Sequence, residues 1–544
     1  MRKDYENIIN DSSGIIYLSD SLDMKKMDED CVKRQNISFA ELMEKAAKAA
    51  FDCVIQRKPY AKNVTILCGG GNNGGDGYVL ALLFSEIIIN VRVINIFDSP
   101  PKSEAALFYY NKVNNINEVK IFNAENLSDE ILQEIYLNSD MIIDAVFGTG
   151  FNGELTGEAL RVIKCANNIN NNILKIAVDI PSGINCDDGT ADNNSFNADL
   201  TITFEFIKRG LVSYPAAGFT GDIKVASIGF DEETRDIILN NSNKSVLLSY
   251  NYIRNLFDIN NKRKLKNTNK GDFGKLLAVC GSKNMTGAAY FSAMGALRAG
   301  VGLLYLASEE KALDILQTKL NEPVFVPLDF NKTDDLIKNI NNSGYDSLLI
   351  GPGLGIENSC KIVDIIDILT ESDCVSLPET IIFDADGINA LCGNINILNK
   401  INKAGFNNIL TPHPGEMSRL CKAAGFFGIS SPADVQKNRI KIALEFARKY
   451  NCVLVLKGAN TVIACKNGDL YINPTGNPGM SKGGSGDILA GMIASYCAQG
   501  MTPEISACIA VYLHGLSGDK AAERYSETGM IPSDMLNILA EIQK

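Results

Sequence analysis

Residues Val64–Gly77 read VTILCGGGNNGGDG: an apolar, β-branched run, then a glycine-rich turn, then entry into a helical pattern expected over Gly77–Ile88. A strand that ends in glycines and hands over to a helix is the repeating unit of a doubly wound α/β sheet. The same alternation continues outward in both directions. Short apolar runs at Met141–Ala145, Ile173–Val178 and Leu200–Phe204 complete a first set, and runs at Lys275–Cys280, Ser347–Ile350, Thr380–Phe383 and Cys452–Leu456 belong to a second. Near-continuous apolar strands separated by helices indicate parallel sheets buried on both faces. An Asn467-Gly468 pair between Thr461–Ala464 and Leu470–Asn473 predicts one hairpin within the second set.

The chain has 544 residues, of which 46% are apolar and 21% charged. At about 150 residues per domain, length alone suggests three or four domains, or two large ones of α/β type. The polar stretch LNNSNKS at 239–245 divides the alternation into two large α/β units, 1–240 and 246–544. A formal charge of −12 argues against a nucleic-acid partner, because affinity for that backbone comes largely from Lys and Arg. The one basic run, Asn261–Lys270, reads as a solvated approach segment. No stretch has the length and apolarity of a membrane span or a signal peptide, so a soluble cytoplasmic chain is expected. Fourteen cysteines without C-x-x-C spacing read as buried thiols in a reducing compartment rather than a disulfide framework.

The strand ends carry the chemistry. In the first unit, Gly69, Gly71 and Gly74 match G-x-G-x-x-G, with Asp98 closing the next strand, a weak signal for a dinucleotide. Two later strands end in carboxylates, Asp144 of DAVFGTG and Asp179 of DIPSG. Asn73, Asp144 and the Ser182 region together make an all-oxygen pocket suited to a hard cation, with Asp179 left as an acid/base candidate. A lone strand-end aspartate is more often a cap; several acid-bearing strand ends in one sheet favour a shared site.

In the second unit, GSKNMTGAA (Gly281–Ala289), GPGLG (Gly351–Gly355), TPHPGE (Thr411–Glu416) and KGANT (Lys457–Thr461) follow successive strands. The most specific stretch is Gly476–Gly491, GNPGMSKGGSGDILAG, a glycine turn running into an apolar helix. Its amides form an anion hole at the positive end of the helix dipole. Asp487, in the first turn, is placed to take a proton from a hydroxyl attacking a phosphoryl group. His413, between two prolines, reads as a site residue, and His514, within an apolar helical pattern, as structural. Lys457 reads as a contact to nucleotide phosphate. No G-x-x-x-x-G-K-[ST] is present, which excludes a P-loop NTPase.

Taken in order, these motifs resemble the bifunctional NAD(P)H-hydrate repair enzymes, which pair a Rossmann-like epimerase with a ribokinase-like, ADP-dependent dehydratase. The resemblance covers nearly the whole chain. It implies that Asn72, Asn73, Gly74, Gly75, Asp76, Gly148, Thr149, Gly150, Phe151, Asn152, Gly153, Glu154 and Asp179 hold the hydrate in the epimerase, and that Asn73, Asp144 and Ser182 hold potassium. In the dehydratase it implies Ala288, Gly353, His413 and Asp487 for the hydrate. Lys457, Gly458, Ala459, Asn460, Thr461 and Gly486 would bind ADP, with magnesium accompanying the nucleotide. Asp487 and Asp179 are the expected catalytic residues, hydrated NADH and NADPH the substrates, and a homo-oligomer the expected assembly. One departure stands out: the first-unit helix reads LMEKAA (Leu42–Ala47) where the family usually has LMENAG. Two alternatives stay open on the residues alone. One is a ribokinase-type kinase for a vitamin alcohol with an accessory first domain; the other is a first domain that only senses or scaffolds a dinucleotide.

Overall fold

The computed structural model describes residues 14–543 except 89, 170–171, 242, 262–266, 330–343 and 372–377. Residues 262–266, half of the basic run at 261–270, therefore lie outside the described residues. The chain divides into two compact units, Ile16–Ser245 and Val246–Lys544.

In the first unit seven strands form one parallel sheet, in the order Val119–Asn123, Asn90–Asn95, Asn63–Cys68, Met141–Ala145, Leu174–Val178, Leu200–Phe204, Asp222–Ala226. The order reverses direction between Asn63–Cys68 and Met141–Ala145, which opens a crevice at their carboxyl ends. Ile66, Ile143 and Ile176 are fully buried, as the apolar runs require. Strand Ile16–Ser19, which the hydropathy pattern did not suggest, pairs in parallel with the two-residue strand Ile207–Lys208.

The glycine run behaves differently from expectation. The helix begins at Asn72, not Gly77, and continues to Ser85, so Gly74, Gly75 and Gly77 lie inside it. Glycine is disfavoured in helices by up to ~1 kcal/mol, and here close packing offsets that cost. A Cβ at Gly74 would meet the Gly69 carbonyl oxygen at 2.0 Å, and one at Gly77 would meet Cys68 Sγ at 2.7 Å. These glycines let the helix press onto its own strand. Gly71, by contrast, has open space beside it and Gly70 only the Phe97 ring at 3.6 Å, and both face the crevice.

The second unit has a parallel sheet ordered Val324–Pro327, Leu303–Ser308, Lys275–Val279, Ser347–Ile350, Thr380–Phe383, Asn407–Leu410, Val453–Leu456. The predicted hairpin follows, with Val462–Ala464 and Leu470–Ile472 antiparallel. Helix Ser485–Ala498 is buried along most of its length. It packs against helix Thr286–Arg298 with almost no side chain between them. A Cβ on Gly491 would meet the Ser292 carbonyl oxygen at 2.0 Å, and one on Gly295 would meet that of Ile488 at 2.4 Å. Glycine at both positions therefore sets how close the two helices come. The described cysteines are all free and most are buried. No helix among the described residues is long and apolar enough to cross a membrane.

Two candidate active sites

A cavity of about 1830 Å³ opens at the carboxyl edge of the first sheet. Asn72, Asn73, Asp76, Gly148, Thr149, Gly150, Phe151, Asn152 and Asp179 line it; Gly74, Gly75, Gly153 and Glu154 do not. Gly75 instead packs on the Met43 side chain, which a Cβ would meet at 2.5 Å. Asp98 is not among the cavity's lining residues and accepts a hydrogen bond from Asn123 Nδ2 at 3.3 Å. Phe97, Phe147 and Phe151 form an aromatic rim, with ring centroids 6.2 and 4.9 Å apart along the series. No side chain caps the N-terminus of helix Asn72–Ser85, which leaves its first amides to a ligand.

At the floor sits a charged cluster. Asp179 follows strand Leu174–Val178 with a left-handed φ of +63°, a conformation costly for a residue with a side chain. Lys208 Nζ, fully buried, donates to Asp179 Oδ1 at 2.6 Å, to Thr203 Oγ1 at 2.9 Å and to the Phe204 carbonyl at 3.1 Å. Asp28 lines the same cavity, and burial pushes its carboxyl up to about 7 against the pull of Lys208. Burial, with the nearby Asp179 and Asp28, holds Asp76 far above the usual carboxylate range.

Asp144 and Ser182 are in direct contact, and Asn73 reaches Ser182 only through the Phe147 backbone, whose N–H donates to Ser182 Oγ at 2.9 Å. Ser182 donates to Asp144 through its backbone N–H at 2.7 Å and its hydroxyl at 2.7 Å, and Val146 N–H donates at 3.1 Å. Burial nonetheless raises the Asp144 carboxyl to about 6, and no cation pairs with it among the described residues. Asn73 Nδ2 donates to the Phe147 carbonyl at 2.8 Å, while its buried Oδ1 has no donor among the described residues.

The second unit ties its strand-end loops together. Gly281 N–H donates to the Pro352 carbonyl at 2.7 Å, and Gly355 N–H to Asp386 Oδ2 at 2.8 Å. Gly353 lies directly against Ala288, whose Cβ an added methyl would meet at 2.7 Å. Asp384, buried at the end of strand Thr380–Phe383, accepts from Lys457 Nζ at 2.7 Å and from Thr411 Oγ1 at 2.7 Å. Burial works against the Lys457 charge, but Asp384, Glu416 and Asp487 together hold its ammonium above the ordinary range. The cation read as a phosphate contact is thus already committed to a carboxylate, though its Nζ stands 3.4 Å from where a Cβ of Gly486 would be.

Asp487 lies in the first turn of helix Ser485–Ala498, and burial, reinforced by Asp384, pushes its carboxyl up to about 7. Gly483 has nothing beside it within 4 Å, so the loop before the helix is open on that side. His514 supports this turn from below. Its Nε2–H donates to the Ser485 carbonyl at 2.9 Å, and burial lowers its pKa to about 4, so it stays neutral. His413 caps helix Pro414–Ala423, accepting at Nδ1 from Gly415 N–H at 3.0 Å. Its side chain is half exposed and its pKa is lowered, first by burial and then by Lys457, which leaves a neutral ring with Nε2 as the donor.

Residues 276–541 match the family model described as NAD(P)H-hydrate dehydratase, and residues 39–210 that described as YjeF-related protein N-terminus. The bifunctional NAD(P)H-hydrate repair enzyme of Moorella thermoacetica is 33% identical over 96% of each chain. That of Escherichia coli is 31% identical over 96% of this chain and 92% of its own. The chain belongs to the bifunctional NAD(P)H-hydrate repair enzymes.

A crystal structure of the ADP/ATP-dependent NAD(P)H-hydrate dehydratase of Bacillus subtilis is 29% identical, covering 54% of this chain and 96% of that one, with a TM-score of 0.45. Membership of the repair enzymes sets aside both the vitamin-alcohol kinase and the scaffolding first domain. In the LMEKAA departure, Lys45 points outward to Gln35 Oε1 at 2.9 Å, and Ala47 is fully buried. Sequence reasoning missed three groups of the two clusters: Lys208, Asp28 and the ion-pairing role of Asp384. For Lys208 a signal existed, a lysine inside the apolar run FEFIKRGLV.

Proposed function

We propose that the second unit uses ADP to dehydrate hydrated NADH or NADPH, giving AMP and phosphate, and that the first unit interconverts the two configurations of the hydrate. One observation carries the reading: Asp487 is a buried carboxyl with a pKa of about 7, set at a helix N-terminus beside an open glycine loop. A base poised near neutrality next to an anion hole is what phosphoryl transfer to a hydroxyl requires.

In the dehydratase, Ala288, Gly353 and the Nε2–H of His413 face the hydrate, and Lys457–Thr461 with Gly486 face the nucleotide. Asp487 takes the proton of the ring hydroxyl as its oxygen attacks the terminal phosphorus of ADP, and AMP leaves. The ring nitrogen lone pair then expels phosphate with the carbon–oxygen bonding pair. Loss of a proton from the neighbouring carbon restores the reduced nicotinamide. Lys457, held by Asp384, fixes the carboxylate geometry around this centre and limits how far the Asp487 pKa rises. Magnesium enters with the nucleotide in this reading, since Asp384 is already engaged by Lys457 and Thr411.

In the epimerase, the aromatic rim and the amides of Asn72–Asn73 hold the dinucleotide, with Gly148–Asn152 along its side. The nitrogen lone pair releases the hydroxyl, which leaves as water with a proton from the Lys208 ammonium. Water returns to the opposite face of the ring and gives its proton to the Asp179–Lys208 pair. Potassium fits the neighbouring oxygens. The unpartnered Asn73 Oδ1, the Asp144 carboxylate without a counter-cation and the Ser182 oxygen form a hard donor set that would hold it. Bound there, it supplies a fixed positive charge that keeps Asp144 ionised. The homo-oligomer belongs to the same proposal, with Phe39 and Phe108, exposed at the cavity rim, as apolar surface for it to cover.

The test offers each purified epimer of hydrated NADH with ADP and follows the return of NADH absorbance and the release of AMP. Both epimers should be consumed, one of them only through the first unit. A stable phosphorylated product instead of NADH would overturn the dehydratase reading.

A further inference from the structure

The positive charge that the nucleotide site leaves uncompensated is not on Lys457. Arg439, the first residue of helix Arg439–Tyr450, is fully buried beneath the Lys457–Thr461 loop. Its guanidinium donates from Nη2 to the Leu456 carbonyl at 2.9 Å, and from Nη1 to Gln436 Oε1 at 2.6 Å and the Lys457 carbonyl at 3.4 Å. Among the described residues no carboxylate pairs with it, and its buried Nε–H has no acceptor. Gly458 lies flat on the guanidinium: with φ at +144°, a Cβ there would meet Nη1 at 2.8 Å and Cζ at 3.3 Å. Burying a guanidinium without a counter-ion is costly, so a gain must offset it. Two gains are visible. The carbonyls of Leu456 and Lys457 are drawn inward, which fixes the loop backbone, and a full charge is stored directly under it in low dielectric. Burial lowers the Arg439 pKa only to about 10, so the group remains a cation at neutral pH.

We infer that Arg439 is a positioning residue for the nucleotide, setting the Lys457–Thr461 loop and supplying through it the positive field that the phosphates of ADP meet. The inference rests on the reading of Lys457–Thr461 as the nucleotide loop. Arg439 would touch no phosphate; its field would act across the Gly458 backbone, and more strongly on ADP than on AMP, which carries less charge.

The experiment compares the full chain with Arg439→Met and Arg439→Lys. It reads KM for ADP, KM for the hydrate, kcat, and the binding of ADP and AMP by calorimetry. For Arg439→Met the expected result is a KM for ADP raised about 10- to 100-fold, with kcat and the KM for hydrate within about 3-fold of the parent. ADP affinity should fall at least about 10-fold and AMP affinity less than about 3-fold. Arg439→Lys should recover most of the ADP affinity; should the methionine variant not fold, Arg439→Gln replaces it, and a fall in the ratio of ADP to AMP affinity relative to Arg439→Lys is the expected result. Equal losses for ADP and AMP, or a kcat that falls with an unchanged KM for ADP, would make Arg439 a packing residue and overturn the inference. A control separates this from failure of the loop reading. If Thr461→Val and Asn460→Ala bind ADP like the parent, the loop is not the nucleotide site. If they lose ADP while Arg439→Met keeps it, only the role of Arg439 falls.

Discussion

Each unit buries a lysine–aspartate pair at the end of a parallel strand, with nearly the same geometry: Lys208 to Asp179 at 2.6 Å, and Lys457 to Asp384 at 2.7 Å. Their surroundings differ. In the first unit the paired aspartate faces the cavity, and the pair itself is available to the substrate. In the second the pair is wrapped by Thr411 and Glu416, and a separate carboxyl, Asp487, stands unpaired with its pKa near 7. A buried ion pair is therefore reagent in one case and scaffold in the other. What separates the roles is whether the pair itself lines the cavity, as Asp179 and Lys208 do.

The comparison breaks most sharply at Asp487. Asp487→Asn should lower dehydration by roughly 10²–10⁴-fold, about 3–5 kcal/mol of barrier, while epimerisation persists. NADH recovery from the dehydratase substrate and interconversion of the epimers, measured separately, check this. The same variant should be more stable than the parent. Because the folded-state pKa is raised from the ordinary 3.8 to about 7, folding binds a proton and ionisation opposes it. The penalty builds between about pH 4 and 7 and levels above, so denaturant midpoints of parent and variant should diverge across that window.

Lys208→Met should slow epimerisation by about 10²–10³-fold and leave dehydration of the correct epimer intact. It also strands Asp179, at a cost of about 3 kcal/mol if the carboxylate stays charged. Unchanged interconversion of the epimers would reduce the Asp179–Lys208 pair to scaffold, like its counterpart in the second unit.

The pH profiles sharpen the contrast further. Dehydration should rise with pH through about 7 as Asp487 ionises, by about 10-fold per unit on the acid side. Lys457 opposes the upward shift of Asp487, so Lys457→Met should move that limb to higher pH. Epimerisation should show no limb tied to Asp487. The smallest effect is expected at His413. His413→Ala removes a helix cap worth about 0.5–1 kcal/mol and should raise the KM for hydrate a few-fold with little change in thermal midpoint.

Residues announced by their place at a strand end or helix start were legible in the sequence. The positions of Asp144 and Asp179 at strand ends and of Asp487 at a helix start follow from that rule alone, while the division near residue 240 was read from the polar stretch LNNSNKS. The glycines were legible only by type. Gly74 was read as part of a dinucleotide turn and Gly77 as the helix start, whereas both lie inside the helix against backbone or strand, and no local pattern tells a close ligand from a close backbone. The partners of the acids were hidden for a related reason. Lys208 comes from a two-residue strand 29 positions after Asp179, and Asp384 from 73 positions before Lys457, so only the folded sheet brings them together. His514 was read as structural, and its contact with Ser485 was not foreseeable from an apolar helical pattern.

The glycine contacts between helices Ser485–Ala498 and Thr286–Arg298 have a mechanical consequence. Two rods touching backbone to backbone at both Gly295 and Gly491 cannot roll or slide over one another without collision. The rod that carries Asp487 thus acts as a datum edge against which the loops are indexed. Warming should set the loops in motion well before it displaces that edge, so lost registry of the nucleotide, rather than a wandering base, should be the first way the second unit fails.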